Sequence, residues 1–292
     1  MADRQRVLLI GAGGLVGRHL RNALVGLDVT ATYRTDPLPD GIALDITDHD
    51  AVRRTIRAAR PDAIVLAAAD AYVERCEREP AATHLVNVEA PRVIAAEATA
   101  LGAHLVVFSS EYVFDGTAGG YAEDAERHPI NEYGRQKVAL EDLALATSRG
   151  LVCRTSGVFG GDQKRKNFVL QLVDRLRAGE TFDVASDQLI TPTYAPSLAN
   201  AVAALVRRGE RGVVHVAGPR ILGRLEFARL VAETYRLPLE LLRARPTAEL
   251  GLVAPRPLRC GLHVDRLRGM LGTDLIAPEV GLRELASQVF AP

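Results

Sequence analysis

Arg6-Val7-Leu8-Leu9-Ile10-Gly11-Ala12-Gly13-Gly14-Leu15-Val16-Gly17 is the stretch from which the fold is read. Val7 to Ile10 is an unbroken apolar run, the pattern of a strand buried on both faces. Glycines follow at once, and Val16 to Val25 then has helical character. Glycines at 11, 14 and 17 let the backbone turn tightly, approach a pyrophosphate closely and pack the helix on the sheet. Phosphates placed there meet free N–H groups and the positive end of the helix. Gly11, Gly14, Leu15, Val16 and Gly17 are therefore expected to hold a dinucleotide. The spacing is G-x-x-G-x-x-G rather than the commoner G-x-G-x-x-G. A glycine cluster alone is often only a turn, so its place behind a buried strand carries the nucleotide reading.

Outward from this loop the rhythm repeats. Val29 to Tyr33, Ala63 to Ala67, His104 to Phe108 and Leu151 to Arg154 read as further strands. Between them, helical patterns follow Asp48, run from about Pro91 to Leu101, and run from about Tyr133 to Ser148. Strands alternating with helices at this spacing give β-α-β units and a parallel sheet. The expected class is α/β, a Rossmann-type doubly wound parallel sheet with a smaller C-terminal substrate-binding lobe. The expected division is a dinucleotide domain over 1–160, its sheet completed by about 188–218. The lobe then takes 161–187 and 219–292.

The bulk numbers narrow the classes. The 292 residues are 48% hydrophobic and 25% charged, with 36 basic and 36 acidic side chains. That balance gives no chain-wide attraction to nucleic acid or to an anionic membrane, and neither is expected as a partner. Three separated cysteines, with no CxxC pair, fit a reducing compartment rather than a disulfide or zinc framework. The start lacks a signal peptide's apolar core and cleavage site, and no apolar run reaches 18 residues. A cytoplasmic protein is expected. The histidines show no paired ligand spacing, so no metal is expected.

Two positions suggest chemistry. At the end of the second strand an acidic residue would favour NAD and an Arg would accommodate a 2′-phosphate. The sequence offers Arg34, with Asp36 two residues on, which points to NADPH with NADH as the alternative. A solvated surface Arg would look the same in this Arg-rich chain. Tyr133 and Lys137 stand four apart, on one face of a helix, where an ammonium can lower a phenol's pKa. Ser110, at a strand exit, could stabilise a developing alkoxide, although Ser there also serves as a turn former.

These residues resemble the extended short-chain dehydrogenases/reductases. The stretches SSEYVFDG (109–116), NEYGRQK (131–137), CRTSGVFG (153–160), KNFV (166–169) and DQLITPTYAPSLA (187–199) are similar to the dTDP-4-dehydrorhamnose reductase group. The resemblance implies that Tyr133 donates a proton to the substrate carbonyl, that Lys137 holds the nicotinamide ribose and tunes Tyr133, and that Ser110 orients the carbonyl. It also places Asp45 and Ile46 at the adenine, Ala67, Ala68 and Ala69 along the cofactor, and Asn87, a structural residue near the site, among the cofactor-binding residues. Glu111, Phe114, Asn167 and Thr193 fall at substrate-side positions. Leu66, Asp70 and Glu111 depart from the usual pattern and bear on which sugar is taken.

The resulting expectation is an NADPH-dependent reductase of a nucleotide-activated 4-keto-6-deoxysugar, acting as a monomer or homodimer. Two alternatives stand beside it. One is a sugar-nucleotide epimerase or dehydratase. The other is a non-catalytic dinucleotide-binding subunit, because RCEREP (75–80) and SSEYVFDGT also resemble the regulatory beta subunit of methionine adenosyltransferase.

Overall fold

A computed structural model describes residues 4–289. Seven parallel strands form the central sheet: β1 (Arg6–Ile10), β2 (Asp28–Tyr33), β3 (Ile42–Ala43), β4 (Ala63–Leu66), β5 (His104–Ser110), β6 (Gly150–Thr155) and β7 (Gly212–His215). Their order across the sheet is β7-β6-β5-β4-β1-β2-β3. The order reverses beside β1, where Val7 pairs with both Val29 and Ala63. An open crevice at that switch point is where doubly wound sheets collect ligands.

The helices cover both faces. Leu15–Ala23 packs on Ala195–Arg208, and the core there joins Leu9 and Val65 to Leu20, Leu198 and Val202. On the other face His49–Ala59, Ala90–Leu101 and Glu132–Leu145 cover Leu8, Ile64 and Val107. Local chemistry sets the ends of these helices. Asp48 caps the first of them by accepting from the Ala51 N–H at 2.9 Å, and Gly102 ends the second in the left-handed region, where glycine carries no steric cost.

Residues 85–89 adopt a π-helical turn between Pro80–His84 and Ala90–Leu101. The wider turn aims Asn87 into the interior, a device often found beside functional sites. Sequence periodicity does not reveal it, nor the two-residue strand β3, nor the short helix Val73–Arg78.

The second lobe has its own core, built from Phe159, Leu172, Val184, Tyr194, Phe227, Val231 and Leu285. A segment through Leu267 and Leu275 returns to the core of the sheet, so the end of the chain is shared between the two bodies. Glu74 holds the segment before Pro257 by accepting from the Val253 N–H at 2.9 Å and from Arg256 at 2.7 Å. Among the described residues, no helix is long and apolar enough to cross a membrane.

Candidate active site

Two adjoining cavities open along the carboxyl ends of β1, β2, β4 and β5, with Ala71 bordering both. The larger, about 760 Å³, runs over the glycine loop between the end of β2 and residues 67–72, with Lys164 and Lys166 at one side. The smaller, about 360 Å³, lies under the second lobe and is walled by Ser110, Glu111, Tyr133, Ser156, Gln188 and Arg224 among others.

The glycines do different work. Gly11 has φ of +90°, and a Cβ there would come within 2.6 Å of the Ala68 nitrogen. At Gly17 a Cβ would come within 2.2 Å of the Gly11 oxygen, so the helix sits directly on the turn. Gly13 and Gly14 instead border open space, with the nearest atoms to a built Cβ at 3.8 and 3.6 Å. Glycines that leave the cleft open, beside the unpaired N–H groups of a helix's first turn at Leu15 and Val16, fit a pyrophosphate. The walls fit the rest of a dinucleotide: Leu44, Ile46 and Val86 are apolar, and Ala67, Ala68 and Ala69 follow the floor. Asp45 lies off this wall. It is exposed, and its carboxylate accepts from the N–H and hydroxyl of Thr47.

Tyr133 and Lys137 face the same way from Glu132–Leu145, and both are buried. Asn131 starts this helix by accepting from the Gly134 N–H at 2.8 Å. Gly134 is obligatory, because a Cβ there would meet the Tyr112 carbonyl oxygen at 2.2 Å. The close approach brings Tyr133 beside the end of β5. Lys137 Nζ donates to the Phe108 carbonyl at 3.0 Å and lies 5.5 Å from the centre of the Tyr133 ring. Behind the helix, Gln136 accepts from Asn87 at 2.8 Å and donates to Thr83 at 2.9 Å. Asn87 also bonds both backbone groups of Asp70, so it braces the site without lining either cavity.

Burial dominates the electrostatics. It pushes the Tyr133 phenol well above its ordinary value; the Glu111 carboxylate adds to the rise and a hydrogen bond with Ser110 opposes it. The expected lowering by Lys137 is not what the structure shows. Burial also pushes the Lys137 ammonium down to about 8 and the Glu111 carboxyl up to about 7. The raised value keeps the phenol protonated, so Tyr133 carries a proton to give, and a charge partner in the site must offset the burial for it to leave. Ser110 Oγ lies 3.1 Å from Glu111 Oε2 and accepts from the Tyr112 N–H at 3.3 Å.

Of the expected substrate-side residues, Glu111 and Asn167 line the smaller cavity. Asn167 also caps the helix Phe168–Arg177 and donates to the Gly160 carbonyl at 3.0 Å. Phe114 and Thr193 do not reach the cavity. Phe114 is fully buried, stacked on Tyr121 at 4.1 Å with the Arg154 guanidinium 5.0 Å from its ring. Thr193 is also fully buried, donating to the Thr191 carbonyl and accepting from the Gly218 N–H.

Sequence reading missed Arg224, Gln188, Tyr112 and Ser156 in the smaller cavity and Lys164 and Lys166 in the larger. Arg224 lies over the Phe168 ring at 4.5 Å, and its desolvation lowers its pKa. No local pattern distinguishes it among so many arginines. Tyr112, Ser156, Lys166 and Gln188 did fall inside the quoted stretches.

Sheet order, glycine turn and the buried Tyr/Lys pair under a second lobe make the protein an extended short-chain dehydrogenase/reductase. More narrowly, the chain belongs to the family described as the RmlD substrate binding domain, whose model matches residues 5–290. It is 36% identical over 259 residues to a dTDP-4-dehydrorhamnose reductase of Mycolicibacterium smegmatis, covering 87% of this chain and 76% of that one. It is 31% identical to the Escherichia coli dTDP-4-dehydrorhamnose reductase, covering 97% and 98%. The crystal structure of a Bacillus anthracis dTDP-4-dehydrorhamnose reductase in complex with NADP superimposes with a TM-score of 0.90, at 27% identity over 98% of this chain and all of that one.

Proposed function

We propose that this chain is an NADPH-dependent reductase of a nucleotide-activated 4-keto-6-deoxysugar, of the dTDP-4-dehydrorhamnose reductase kind. The observation that carries the reading is the buried Tyr133, beside Lys137 and Ser110, where the dinucleotide cleft adjoins a second, lobe-covered cavity. Relatives named for that activity, one of them solved with NADP, support the same assignment.

The dihydronicotinamide, when bound, supplies the hydride. The chain's own residues do the rest. Gly13 and Gly14, at the head of the first helix, would receive the pyrophosphate, and Ile46 and Ala67 to Ala69 would flank the nucleoside and its path. Ser110 orients the ketone oxygen, and Tyr133 delivers a proton to it as negative charge develops there. Lys137, tethered to the Phe108 carbonyl, would hold the coenzyme's ribose and favour the phenolate once the proton has left. Arg224 offers a poorly solvated cation to the sugar nucleotide's diphosphate, because burial strengthens such a contact. Glu111 and Gln188 contact the sugar ring. The protein works in the cytoplasm, where its soluble coenzyme and substrate are found.

The test is NADPH oxidation against a panel of 4-keto-6-deoxy nucleotide sugars, with the reduced sugar identified by NMR. At least one should turn over. Intact coenzyme binding with no turnover on any sugar would favour a regulatory subunit instead.

A further inference from the structure

One corner of the larger cleft holds two opposite chemistries. The end of β2 brings Arg34, Thr35 and Asp36, and the loop 160–167 brings Lys164 and Lys166 from the other side. These two lysines stand out, because the chain has only three among its 36 basic residues. Lys164 Nζ lies 2.8 Å from the Asp36 carboxylate and 3.4 Å from the Thr35 hydroxyl. Arg18 approaches the same carboxylate at 4.0 Å.

The loop is organised to keep Lys164 there. The Asp162 carboxylate accepts from the N–H groups of Lys164 and Lys166, each at 3.1 Å. Arg165 takes a left-handed φ of 49°, and Gln171 donates to the Lys166 carbonyl at 2.7 Å.

The end of the second strand is where this fold meets the adenosine ribose. A carboxylate there accepts the hydroxyls of an unmodified ribose, whereas cations hold a 2′-phosphate. Here the carboxylate and one of the cations neutralise each other. Both side chains are well exposed, at 38% and 46%, so opening the pair costs little.

We propose that the Asp36–Lys164 pair is a two-way coenzyme selector, in which Lys164 leaves Asp36 to bind a 2′-phosphate with Arg34, and Asp36 accepts the ribose hydroxyls when that phosphate is absent. The proposal rests on the dinucleotide reading of the cleft. It makes the chain competent for both coenzymes and gives a lysine from the loop beyond β6, not only the residues after β2, control of the margin between them.

The experiment is titration calorimetry of NADP+ and NAD+ against the wild type, Lys164→Met and Asp36→Asn, with no substrate present. Lys164→Met should weaken NADP+ about tenfold, the size of one lost charge-assisted contact, and change NAD+ less than about twofold. Asp36→Asn should do the reverse, tightening NADP+ and weakening NAD+ about fivefold. Wild-type binding of both coenzymes with an unmoved ratio in the variants overturns the selector alone. Failure of the wild type to bind either coenzyme removes the dinucleotide reading, and the selector with it.

Discussion

Gly14 and Gly17 belong to the same turn, yet alanine at each should fail in a different way. A Cβ at Gly17 would sit 2.2 Å from the Gly11 oxygen and 2.8 Å from the Ala12 Cα, both backbone atoms that no rotamer change can move. Overpacking of this kind costs about 1–3 kcal/mol, and a displaced backbone puts Gly17→Ala at about 3. At about 2–4 °C per kcal/mol for a chain approaching this size, its Tm should fall by about 8 °C. Gly14 has φ of −77° and ψ of 170°, which alanine adopts freely, and its built Cβ meets only the Gly11 oxygen at 3.6 Å. Gly14→Ala should therefore lose no stability, its Tm rising by about 1–4 °C. Its methyl instead takes space in the cleft, and NADP+ affinity should drop about tenfold, by about 1.4 kcal/mol. Calorimetric melting and coenzyme titration on both variants separate the effects. Equal Tm losses, or undiminished NADP+ binding by Gly14→Ala, would refute the division of roles.

Glu111 should make stability depend on pH. Burial raises its carboxyl from 4.5 to about 7, so the folded protein holds that proton where the unfolded chain has lost it. Its contribution is fully present below pH 4.5 and fades as pH rises to about 7, to the extent of about 3 kcal/mol. Glu111→Gln should therefore gain stability over the wild type as pH rises from 5 to 8 in urea unfolding; parallel profiles would count against a buried titrating carboxyl. A third prediction concerns the buried pair under the second cavity. Arg154 reaches both oxygens of Glu141 at 2.8 Å, with the two side chains 3% and 0% exposed. Arg154→Met leaves Glu141 with Arg127 at 3.2 Å and the Ser109 hydroxyl, and should cost about 3 kcal/mol in the same assay. A loss under about 1 kcal/mol would show that the pair is dispensable.

The parts legible in the sequence were those whose cause is local. Val7 to Ile10 is apolar because β1 is buried on both faces, and the glycines behind it follow from a turn that must fit under a helix. Tyr133 and Lys137 share a face because four residues make about one turn. What sequence did not show depends on segments far apart in the chain. Lys164 comes to Asp36 across 128 positions, and Arg224 enters a cavity floored by β5 and β6. Phe114 and Thr193 lie near the site in sequence terms, but packing turns both into the interior. The phenol's shift is hidden for a similar reason: spacing shows the neighbouring ammonium, but not the burial and the Glu111 carboxylate that raise the phenol.

The most direct measurement is the single-turnover rate of NADPH oxidation by Tyr133→Phe on whichever 4-keto sugar the wild type reduces. Removing one hydroxyl from a buried ring should leave coenzyme affinity nearly unchanged and slow the chemical step about a hundredfold or more, the scale of a lost proton donor. A variant that reduces the sugar at close to the wild-type rate would contradict the assignment of Tyr133 as the acid.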